Sequence, residues 1–73
     1  MKIQTLLDAV FTFNPIVIRM MGDITGHQVD PMLDDVAVIH KAAEMVVFYV
    51  PDAPPNVREQ AENILATLGW NWA

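Results

Sequence analysis

The stretch that decides the fold is Asp30–Pro51, DPMLDDVAVIHKAAEMVVFYVP. Asp30 has the chemistry of a helix N-cap, Pro31 suits the first helical position, and Asp34 and Asp35 place negative charge near the positive end of a helix dipole. Met32, Val36, Ile39, Ala43, Val46 and Val50 are spaced +4, +3, +4, +3, +4. That spacing is a continuous seam of the kind used in helix bundles. A second stripe, Leu33, Val38, Ala42, Met45 and Tyr49, flanks it, and Val47 and Phe48 widen the apolar coverage. Asp34, Asp35, His40, Lys41 and Glu44 remain for the solvent side. A helix so apolar around its circumference is expected at the centre, wrapped by neighbours. Pro51 stops it.

Downstream, Asp52-Ala53-Pro54-Pro55 reads as a stiff turn, and Val57, Ala61, Ile64 and Leu68 repeat the +4, +3, +4 spacing, with Leu65 beside them. Arg58, Glu59, Glu62 and Asn63 form the polar face. Gly69 suits a left-handed residue just past the helix end. Upstream, Ile3, Leu6, Leu7, Val10, Phe11 and Phe13 follow a mostly helical pattern. Asn14-Pro15 then ends one element and caps the next. Ile16–Met21 is too short for periodicity to separate helix from strand. A lone strand would have no partner, so a short helix closed by Gly22 is predicted, with Gly22–Gly26 as a loop. The expected fold is a single all-α domain: three main helices at about 2–13, 31–50 and 55–68, plus a short one at about 15–21.

Composition narrows function by exclusion. The chain has 73 residues, 53% of them apolar and only 18% charged, which does not fit intrinsic disorder. Cysteine is absent, which removes disulfide and Cys-zinc scaffolds, and with no serine either, the two commonest nucleophiles are missing. No glycine-rich phosphate motif is present. Four Lys/Arg against nine Asp/Glu give a net charge of −5, which argues against direct binding to a nucleic-acid backbone. A domain near 60 residues buries only about 60% of its unfolded surface. This apolar content should therefore leave an exposed patch, and such patches mark partners. Self-association is expected, with a dimer as the simplest case.

The N-terminal apolar run faintly resembles a signal peptide, but Gln4 and Asp8 interrupt it and no small-x-small cleavage site follows. The longest apolar stretch, Val36–Val50, carries His40, Lys41 and Glu44 and falls short of the ~18–20 residues of a spanning helix. A cytoplasmic setting (or a virion, were the chain viral) is the expectation, with no membrane and no cofactor.

Candidate site residues each carry two readings. Phe48 shares a polar stripe with Lys41 and Glu44, and is covered either by the last helix or by another subunit. Trp70 and Trp72, beyond Gly69, either close over the core or plug a partner's pocket, a role in which Trp is prominent. Met20 and Met21 are core filler or an adaptable binding surface, and adjacent helical positions cannot both point inward. Asp23, Asp30, Asp34 and Asp35 are helix-start and turn chemistry, or an acidic face imitating phosphates to block a nucleic-acid-binding enzyme. They lack the pattern of a calcium loop. His40 and Glu44, at i and i+4, are a helix-surface pair or half of an intersubunit metal site. His27 lies in a polar loop and reads as solvated. The leading expectation is a small non-enzymatic interaction module, an assembly subunit, adaptor or virion accessory protein.

Overall fold

The long helix begins at Asp34, one turn later than the Asp30-Pro31 pair suggests. The computed structural model describes residues 4–69, in the order α1 (Leu6–Val10), α2 (Pro15–Thr25), α3 (Asp35–Tyr49) and α4 (Pro55–Leu68). Among the described residues there is no strand, so the all-α expectation holds. At the start of α3 the Asp34 carboxylate accepts the Ala37 N–H at 2.8 Å. Asp30 instead makes a turn: its side chain accepts the Met32 N–H at 2.9 Å and its carbonyl accepts the Leu33 N–H at 3.1 Å. Asp-Pro is good chemistry for a turn as well as for a helix start. The turn prevails where Leu33 packs against the core and its carbonyl accepts from Arg19 Nη2 at 3.2 Å. Arg19 also pairs with Asp35, so one guanidinium ties α2 to the beginning of α3.

Helix α1 is shorter than the expected 2–13 span, of which residues 2–3 lie outside the described part. Thr5 and Asp8 form a capping box: the Thr5 hydroxyl accepts the Asp8 N–H at 3.1 Å, and the Asp8 carboxylate accepts the Thr5 N–H at 3.2 Å. Past Val10 the chain tightens, with the Thr12 and Phe13 N–H groups donating three residues back to Ala9 and Val10. Phe13 then takes a positive φ of 52° while its ring is buried. That left-handed turn and the restriction imposed by Pro15 on the residue before it end the helix.

Helix α2 is longer than the expected 15–21. Asn14 and Pro15 start it as anticipated, the Asn14 side chain accepting the Ile16 N–H at 3.0 Å. Gly22 does not close it. The helix runs through Gly22 to Thr25 and ends at Gly26, whose φ of 78° is left-handed, with the Gly26 and His27 N–H groups both donating to the Gly22 carbonyl. Gly22 serves close approach instead, since the returning loop lies directly on it.

Helix α3 is the shared wall. Val38 and Ala42 face the α1–α2 side, where they border Val10 and Ile18. Ile39 borders Ile64 and Leu68 of α4, and Ala43 and Val46 continue that row, both fully buried. Helix α4 occupies its predicted span and packs on α3 without touching α1 or α2. Alanines at the crossings (Ala42, Ala43, Ala61) leave room for the backbones to come close, with Leu65 filling the space between. Helix α4 ends beside His40, and among the described residues no helix covers the first part of the seam, where Met32 and Val36 are exposed. Gly69 does have positive φ, but with ψ of 139° it lies in an extended region open only to glycine, not in the left-handed helical one.

Two glycine substitutions test this account. A methyl group on Gly22 would sit 2.9 Å from the His27 carbonyl oxygen, closer than real contacts allow. Gly22→Ala should therefore cost about 2 kcal/mol by forcing the 27–29 loop outward. Gly26→Ala meets no neighbour and should cost about 1 kcal/mol from backbone conformation alone. Urea unfolding midpoints check both, and a neutral Gly22→Ala would mean that the loop is not seated on α2.

Candidate functional site

The middle of α3 holds a polar node that was expected on its surface. His40 is fully buried, not solvent-facing. Its Nε2 lies 2.7 Å from the Gly69 carbonyl, and since a carbonyl only accepts, Nε2–H is the donor. On the other side of the ring Nδ1 is 2.9 Å from Glu44 Oε1, one helical turn along. The ring thus donates to the end of α4 and sets its other nitrogen beside a carboxylate that is itself partly exposed. The i, i+4 spacing correctly suggested a pair, but the ring's apolar neighbours at 36–39 and 42–43 were the better sign of its burial. No group of three or more His, Cys, Asp or Glu that could hold a metal occurs among the described residues. His27 is exposed, at the rim of a cleft of about 380 Å³ walled by Val10, Ile18, Leu33 and Val38.

The four acidic candidates have different local roles. Asp34 caps α3, Asp30 shapes the turn before it, and Asp35 pairs with Arg19. Asp23 differs from these. It sits in the last turn of α2, at the negative end of that helix's dipole, in a turn with no basic residue.

Exposed apolar side chains gather on two surfaces. On α2, Ile16, Met20 and Ile24 stand one above another at i, i+4 and i+8 and are 65%, 54% and 69% exposed. Met21 points the other way and packs against the core. Ile16 and Ile24 are the residues that the sequence reading missed. Their spacing was there to see, but ending the helix at residue 21 hid Ile24 in a loop. The second surface lies along the C-terminal half of α3, where Met45, Phe48 and Tyr49 are exposed and Lys41 lies among them. Met45 and Tyr49 had been placed on an internal stripe. That stripe is internal at Leu33, Val38 and Ala42 and exposed at Met45 and Tyr49. Leu7 of α1 borders Met45 at the edge of this surface. Trp70 and Trp72 lie outside the described residues.

Comparison with known proteins finds no matching family model, no matching curated protein and no matching solved structure.

The His40 node makes a stability prediction. His40→Leu keeps the bulk but removes the donor to Gly69 and the partner of Glu44, and should cost about 1–3 kcal/mol. Glu44→Gln, at a partly exposed position, should cost about 1 kcal/mol or less. Equal stability of His40→Leu and wild type in urea would reduce the ring to filler.

Proposed function

We propose that this chain is a non-enzymatic protein-interaction module that self-associates, serving as an assembly subunit or adaptor. The observation that supports this most directly is the outward row Ile16, Met20 and Ile24, an apolar face on a helix whose opposite face already builds the core. A helix apolar on both sides is suited to being covered on both sides. The α3 seam is taken up inside the chain at Ala43 and Val46, so association falls to the surfaces that remain.

Magnitudes set the character of that association. Covering a side chain that is half to two-thirds exposed releases roughly 1 kcal/mol. Six such groups, three from each copy, give about 6 kcal/mol against an association cost of about 4–15 kcal/mol. The expected dimer is therefore reversible and concentration-dependent. Each copy carries −5, so charge repulsion opposes pairing and added salt should hold or strengthen it.

Light scattering over a dilution series at low and high salt tests the reading. The mass should approach twice 8.2 kDa at high concentration, fall on dilution, and not fall with salt. A mass of 8.2 kDa at every concentration and both salts would refute self-association.

A further inference from the structure

Building on the self-association argued above, we propose that two copies pair through α2, antiparallel about a two-fold axis passing near Met20. The row Ile16–Met20–Ile24 spans about 12 Å of helix, at 1.5 Å per residue. It contains no charged group, and its middle residue is an unbranched methionine able to adapt to a facing copy. An interface between identical copies around a two-fold must complement itself. The row meets that condition in two ways: antiparallel, Met20 faces the partner's Met20 and Ile16 the partner's Ile24; parallel, each residue faces its own copy.

Charge chooses the direction. Asp23 borders this row at the negative end of α2, and among the described residues no cation is paired with it. Arg19, one turn back, is committed to Asp35 and to the Leu33 carbonyl. A parallel pair would bring the two Asp23 carboxylates together beside two negative helix ends. An antiparallel pair instead lays each Asp23 over the start of the partner's α2, the positive end, whose first turn contains no acidic residue. The acid that is misplaced in one copy is well placed in two. A typical stable interface takes about 800 Å² from each partner, and a single helical row supplies only the centre of one, so the pair belongs to the small, reversible class.

The absence of cysteine allows the geometry to be mapped with single introduced thiols. Met20→Cys should be bridged to its own copy by a short bismaleimide. Ile16→Cys and Ile24→Cys should each bridge poorly to themselves but efficiently to one another when mixed. Met20→Glu should weaken the dimer by at least about a hundredfold by setting two carboxylates face to face, with helix content by circular dichroism unchanged because position 20 is exposed. Phe48→Ala, on the other apolar surface, should leave the mass unchanged. A wild-type chain that is monomeric throughout removes the self-association reading and this interface with it. A dimer that survives Met20→Glu, or that Phe48→Ala disrupts, leaves self-association standing and overturns the α2 assignment. Equal self-bridging at positions 16, 20 and 24 would make the pair parallel and overturn the antiparallel arrangement.

Discussion

Helix α3 is the element that packs against all three of the other described helices. Helix α3 must bury one side under α1 and α2 and another under α4, and these two coverings do not touch each other. The bundle is held by what α3 itself presents: alanines where backbones cross, Val46 and Leu65 between α3 and α4, and a buried imidazole that fastens the end of α4 by a hydrogen bond to Gly69. A buried polar ring is costly unless its nitrogens are satisfied. The hydrogen bond from His40 Nε2–H to the Gly69 carbonyl thus ties the register of α4 on α3 to a specific contact, which apolar packing alone would leave looser.

The same arrangement explains the surplus apolar surface. A two-sided central helix needs two sets of partners, and a chain of this length provides only short ones. Helix α1 has five residues, too few to cover Met45 and Tyr49. Helix α4 stops beside His40 and leaves Val36 uncovered. Helix α2 turns Ile18, Met21 and Val17 inward yet repeats apolar residues on its outer face. The uncovered residues are therefore grouped by the geometry of the coverings, and grouped apolar surface has a different meaning from scattered exposed side chains.

Helix existence was legible in the sequence, and helix ends were less so. The Asn14-Pro15 start, the Pro51 stop and the whole of α4 followed from local chemistry that admits one reading. Asp30-Pro31 admits two, and the choice between helix start and turn is made by Arg19, fourteen and sixteen residues away from its contacts at Leu33 and Asp35. Gly22 and Gly26 are similar. Either could end α2, and what separates them is the loop lying on Gly22, a tertiary contact without a local signature. The Thr5–Asp8 capping box is legible in the sequence, because Asp8 both interrupts an apolar run and stands three residues after Thr5. Of the site, the exposure of Met20 could be anticipated from its adjacency to Met21, whereas its membership of a row with Ile16 and Ile24 depended on where α2 ends.

Side-chain caps close the starts of α1, α2 and α3, and the departures from such local rules are informative. Asp8, Asn14 and Asp34 each satisfy orphan N–H groups at a positive helix end. Asp23 is placed against its helix dipole, beside a row of apolar groups facing solvent. Each choice costs a single chain stability, and among the described residues no ion pair compensates Asp23 and no side chain covers the row. Two adjacent local conflicts on one helix face have a common resolution if that face is covered by a surface that is apolar at its centre and positive at its edge. The outer face of a second α2, running the opposite way, has both properties.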